Sequence, residues 1–167
     1  MNAQQYFTDV VVPTYKEFEQ DRQSTRRALL AALVLYHLLD YVNADKRGTK
    51  GKLGALLAET RKRCASFQVV EAIANGTKHV EVRGPDRFSP DAIALVDGGT
   101  VIDRREIEEG KSREFKTTRP MLWVEFHGHR HFVDVDLYAA LVYFVHEFRL
   151  SGPQSLELPL QVVFKDT

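Results

Sequence analysis

His37 and Asp40 stand three residues apart in the stretch Leu35-Tyr36-His37-Leu38-Leu39-Asp40-Tyr41-Val42. On a helix that spacing puts both side chains on one face, where a carboxylate can orient an imidazole, raise its basicity and prepare it for proton transfer. The same two groups also serve as each other's partner inside a helical bundle, since a buried charge needs one. A second set follows at Asn75, Lys78 and His79. An amide, an ammonium and an imidazole on one side of a helix can hold a phosphate or a transition-state oxyanion. They suit a plain helix C-terminus as well, where cations meet the negative end of the macrodipole. His37, Asp40, Asn75, Lys78 and His79 are therefore the candidate polar cluster, catalytic in one reading and structural in the other.

Two further groupings have a chemistry to offer. His127-Gly128-His129-Arg130-His131 places three histidines at alternate positions. On a straight strand they would share a face and could bind Zn²⁺ or Ni²⁺. A Gly-His turn would instead separate His127 from His131 and leave His129 at the tip, so His127, His129 and His131 are weak metal candidates. Between Asp45 and Arg63, the cations Lys46, Arg47, Lys50, Lys52, Arg61, Lys62 and Arg63 outnumber the carboxylates Asp45 and Glu59. Such a patch can bind phosphate, with affinity that falls steeply with salt, or can be a solvated charged connection. No phosphate-binding GxxxxGK[ST] loop, GxGxxG turn or Gly-x-Ser-x-Gly elbow occurs. No cofactor is implied.

These residues need elements to hold them. Aromatic and aliphatic residues recur at helical spacing from Tyr6 to Phe18, with Pro13 predicting a kink or a helix start. Asp21 and Ser24 are candidate N-caps for a helix from about Thr25 to Val42, apolar on nearly every side. Leu53, Leu56 and Leu57 mark one face of a shorter helix over Lys52–Arg63. A fourth starts near Ser66 with Phe67, Val70, Ile73 and Ala74 inward, and Gly76 either ends it or lies within it. From His79 the period becomes two. Val80/Val82 and Gly84-Pro85-Asp86 read as strand and turn, and Asp97-Gly98-Gly99 reads as the turn of a hairpin between Ile93–Val96 and Val101–Ile102. The charged segment Asp103–Lys116 reads as solvated. A second hairpin, Met121–Phe126 with His131–Val135, turns at Gly128-His129. A closing helix runs from about Asp136 with Leu137, Leu141, Val145 and Phe148 on its apolar face, Arg149 in its last turn and Gly152-Pro153 at its end. Leu156–Phe164 reads as an extended arm or an added strand.

Composition sets the bounds. The chain has 167 residues, 23 Lys plus Arg and 23 Asp plus Glu, so no net charge draws it to nucleic acid or an anionic membrane. Its length suits one unit over residues 1–167, with a helical half to residue 79, a meander over 80–135, a closing helix over 136–150 and an arm over 151–167. Cys64 is the single cysteine, which excludes an internal disulfide and a Cys-based zinc ribbon. The start MNAQQYFTDVV lacks a signal-peptide pattern, and Ala28–Val42, interrupted by His37 and Asp40, reads as a core helix and not a span. The expectation is a soluble cytoplasmic protein without a membrane, with a protein or RNA partner and the association of two copies left open.

The pairing of Leu35-Tyr-His-Leu-Leu-Asp-Tyr-Val42 with Ile73-Ala-Asn-Gly-Thr-Lys-His79 resembles a set of uncharacterised bacterial and phage proteins. These carry an H-x-x-D-[WY] helix and an A-N-x-x-K-H helix end, followed by a small β-meander closed by a helix. Their helical half is similar to HEPN domains, the nucleotide-binding or RNA-cleaving four-helix bundles of toxin and phage-defence systems. The resemblance implies an α+β fold, with an N-terminal four-helix HEPN-like bundle followed by a small antiparallel β-meander and a C-terminal helix. It carries His37, Asp40, Asn75, Lys78 and His79 as shared polar positions. The HEPN nuclease signature, an Arg followed after four to six residues by His, precedes none of the histidines here. The resulting expectation is a non-catalytic binding module linked to defence or stress. The alternative is a metal-independent ribonuclease or phosphotransferase using His79, Lys78 and His37.

Overall fold

The computed structural model describes residues 1–45, 53–78, 93–108 and 111–151, with the backbone alone for residues 77–78, 94–108 and 111–119. The fold is α+β: mostly helical, with a small antiparallel sheet and a C-terminal helix. The first helical run is α1 (Ala3–Tyr6), a π turn (Phe7–Val11) and α2 (Val12–Gln20). Pro13 thus marks a helix start, that of α2, within an otherwise continuous helical run. The wider π turn joins the Val12 amide to the Phe7 carbonyl, Pro13 falls in the first turn of α2, and the Thr14 hydroxyl donates to the Val10 carbonyl at 2.7 Å.

The next helix, α3 (Thr25–Asp45), is the longest at 21 residues. Of the two candidate caps, Ser24 takes the role: its Oγ accepts from the Arg27 amide at 3.4 Å and its carbonyl from Ala28 at 3.0 Å. Asp21 instead closes α2, its amide bonded to Phe18. Length and hydropathy alone would let α3 cross a membrane, but Ala28, Ala31, Ala32, Leu35, Leu38, Leu39 and Val42 are buried in the protein core. The helices α4 (Leu53–Arg63) and α5 (Ala65–Lys78) follow. Because α5 continues to Lys78, Gly76 is an interior helix residue and not its end.

The sheet departs from expectation in two places. Strand β1 (Ala94–Glu108) pairs along its length with β2 (Lys111–Phe126), and β2 pairs with β3 (His129–Phe132) in the order β1-β2-β3. Asp97-Gly98-Gly99 is thus no hairpin turn. Asp97 and Gly98 fall between the pairs Val96↔Met121 and Gly99↔Arg119, two residues facing Pro120 alone, as a bulge. A proline has no amide for the ladder, so a bulge opposite it leaves less pairing unmet. The connection lies between Glu108 and Lys111, and the charged segment forms the arms of this hairpin.

The second hairpin turns one residue earlier than Gly128-His129. Phe126 pairs with His129, leaving His127 and Gly128 as central residues with φ of 50° and 75°. Two positive φ values define a type I′ turn, for which Asn-Gly is the favoured pair. His127→Asn should raise the melting temperature slightly, by no more than about 1 kcal/mol of added stability. A fall on thermal unfolding would contradict this turn geometry.

The closing helix α6 (Val133–Phe148) also begins earlier than expected, at Val133, where Asp134 and Asp136 sit in its first turn and meet the positive end of the dipole. Arg149 ends it in the left-handed region, with φ of 52°. Helix α6 packs on α3 and α5 and also on β2 and β3, and its Leu137, Ala140, Leu141 and Phe144 share one core with Leu122 and Val124 of β2. The strand and turn expected over 80–86, the Gly152-Pro153 stop and the 156–164 arm lie outside the described residues.

Candidate functional site

His37 and Asp40 do meet. Nδ1 of His37 lies 2.7 Å from Oδ2 of Asp40, so Nδ1 donates to the carboxylate, and in a neutral ring Nε2 is left as the acceptor. That is the orientation of a general base. The pair is not buried, however: the side chains are 35% and 46% exposed. The expectation that they partner each other as buried groups inside the bundle is therefore corrected: they pair, but on an exposed face. All seven buried residues of α3 are apolar and lie on the far side of the helix from this pair, which leaves His37 and Asp40 facing water.

What ties the neighbouring helices is a different set. Glu71 on α5 is buried and accepts two hydrogen bonds from Arg61 on α4, Nε to Oε2 and Nη2 to Oε1, both at 2.6 Å. Beside it the Tyr36 ring stacks on Phe67 with centroids 6.2 Å apart, and His37 meets Tyr36 edge-on at 5.6 Å. Burial, with the carboxylates of Glu71 and Asp40 adding to it, pushes the Tyr36 phenol above its ordinary value. Asn75 lies one turn beyond Glu71, half-buried, and no hydrogen bond joins it to His37 or Asp40. Lys78 is the last residue of α5, and His79 lies outside the described residues.

The basic patch is partly neutralised. Arg61 is held by Glu71, while Arg63 pairs with Glu147 of α6 and approaches Glu59 at 4.0 Å. Lys62 is exposed; Lys46, Arg47, Lys50 and Lys52 lie outside the described residues. The three histidines are separated: His127 is in the turn, and His129 and His131 are on β3. Among the described residues, no three His, Cys, Asp or Glu side chains are grouped to hold a metal ion.

His131 belongs to a cluster that the sequence did not suggest. Its Nδ1 is 3.3 Å from Oδ2 of Asp136, which is buried and also hydrogen-bonded by Ser66. Burial raises the Asp136 carboxyl, against the lowering effects of Ser66 and His131. The signal was there in Val133-Asp-Val-Asp136, two acids at the start of an apolar helical run, but reading Val133 as strand concealed it. The native state binds this proton more tightly than the unfolded chain, so Asp136 lowers stability as pH rises from about 4 through its raised value. Asp136→Asn should accordingly gain on wild type in melting temperature as pH increases through that window. A gain that shrinks with pH would show the opposite sign. Cys64, next to this cluster, is buried; burial pushes its thiol up although the Phe67 and Ser66 amides pull it down. It is a packed thiol and not an activated nucleophile.

Two open clefts among the described residues lie elsewhere. One of about 370 Å³ is lined by Gln4, Val42, Asp45, Glu147, Phe148 and Arg149 among others, and one of about 500 Å³ by Met1, Asn2, Gln5, Ala44 and Asp45. Neither is lined by His37, Asp40 or Asn75. No family model matches the chain, and no curated protein or solved structure matches it either.

Proposed function

We propose that this chain is a non-catalytic binding module with a HEPN-like helical half, of bacterial or phage origin and linked to defence or stress systems. One observation carries the reading: among the described residues, the imidazole of His37 and two guanidiniums of the basic patch are engaged with carboxylates. His37 holds Asp40, Arg61 holds Glu71 and Arg63 holds Glu147. A general base needs a substrate proton within reach and a water-poor setting to act strongly, and the His37–Asp40 pair sits on an exposed helix face. An exposed face with paired charges suits recognition of a partner better than turnover.

Incubating mixed cellular RNA with the untagged protein in EDTA tests this reading, with His37→Ala and His79→Ala beside the wild type. No cleavage by any of the three is the expected result. Cleavage by wild type that is lost in both variants would overturn it in favour of a metal-independent ribonuclease, with His79 and His37 as acid and base and Lys78 holding the phosphate.

A further inference from the structure

The charges of α3 run against its own dipole. Arg26 and Arg27 occupy the first turn and Asp40 and Asp45 the last two, with no acid at the start and no base at the end. A macrodipole favours the reverse arrangement. Two of the four are accounted for locally: Arg27 donates to the Glu17 carbonyl at 2.8 Å, and Asp45 accepts from the Ala3 amide at 2.6 Å. Arg26 is exposed with no ion-pair partner among the described residues, and Asp40 is exposed, hydrogen-bonded to His37 and facing no Lys or Arg among them.

These two residues lie on one stripe. Arg26, Leu30, Leu33, His37, Asp40 and Ala44 recur at alternating steps of four and three, the spacing of a single helix face. This face lies opposite the one formed by Ala28, Leu35 and Val42, which are buried. Leu30 and Leu33 sit at its middle, half-buried, yet they are not among the partly buried side chains packed on the core, whereas the flanking Leu29 and Val34 are. An apolar centre with a lone cation at one end and an anion at the other is complementary to itself when reversed. Arg26 and Asp40 each stand seven residues from Leu33.

We propose that two copies of this chain associate through α3, antiparallel about a two-fold axis near Leu33, so that Leu33 meets Leu33 of the other copy with Leu30 beside it, and Arg26 of each copy faces Asp40 of the other. A two-fold interface uses the same patch on both subunits, and this stripe supplies the self-complementarity required. Reversal also brings the positive end of each helix dipole beside the negative end of the other. This rests on the binding-module reading and names its partner. RNA cleavage tests that reading and sedimentation tests the partner, so the two fail separately.

Sedimentation velocity of the untagged protein over a dilution series should show a monomer–dimer equilibrium that weakens with salt. Arg26→Glu and Asp40→Arg should each weaken dimerisation roughly tenfold or more by placing like charges opposite one another, and the double variant should restore it. Arg26→Glu alters an exposed, unpaired side chain, so its circular dichroism should match wild type and separate lost association from lost folding. Leu33→Cys should form a disulfide-linked dimer under mild oxidation, whereas Ala44→Cys, roughly 30 Å from its copy in this arrangement, should not. Three results would overturn the proposal: a monomer at every concentration, a dimer indifferent to both charge reversals, or crosslinking at Ala44→Cys.

Discussion

Phe67→Ala should be the most damaging single change in the described core, costing about 3–5 kcal/mol. Phe67 is fully buried and is where three helices meet: its ring stacks on Tyr36 of α3 and meets Phe144 of α6 edge-on at 5.6 Å with planes 85° apart. Truncation removes the transfer energy of a large ring and leaves a cavity whose walls, Tyr36 and Phe144, are anchored in separate helices and cannot both collapse into it. Domains of ordinary stability have about 5–15 kcal/mol in all, so the variant should melt on the order of 10 °C lower. Urea unfolding with an unchanged slope would assign the loss to stability. A loss below about 1 kcal/mol would mean that the ring is not the keystone its contacts indicate.

The Arg61–Glu71 pair should respond unequally to losing either member. Glu71 is 8% exposed, and the Arg61 side chain is 47% exposed. Removing the arginine strands a buried carboxylate; removing the carboxylate leaves a guanidinium that water can reach. Arg61→Ala should therefore cost about 2–3 kcal/mol and Glu71→Gln less, while the double variant should recover part of the arginine loss. Equal losses in a double-mutant cycle would show that Glu71 is better hydrated than its burial indicates.

These residues also show what a sequence can and cannot reveal. Phe67, Val70, Ile73 and Ala74 face inward as their helical spacing predicts, and the span of α3 was readable from its cap at Ser24 and its apolar run. Local signals suffice where periodicity meets one core. The β1–β2 hairpin runs well beyond the core-facing alternation at Leu122 and Val124 that marks the end of β2, and the Gly-Gly at 98–99 suits a turn as well as the bulge it forms. His37 and Asp40 were found as a pair because three-residue spacing is local geometry; their exposure was not, since it depends on which side of α3 the other helices choose. Glu71 bonding Arg61, and His131 bonding Asp136 with Ser66 close by, are meetings between elements, and nothing in the spacing of one element announces its partner in another.

The position of α6 matters for the order in which the chain can be completed. Synthesis delivers α1 to α5 first, then a long β-hairpin, and only then the helix whose Leu137, Leu141 and Phe144 cover the inner faces of α3 and α5. Until then those faces are open to water, and the clasp of Gln4 on Ser151, with hydrogen bonds of 3.0 and 2.8 Å in both directions, cannot close. The emerging chain thus carries an uncovered apolar surface for as long as the ribosome takes to translate the hairpin, a period of several seconds in which chaperone capture competes with folding.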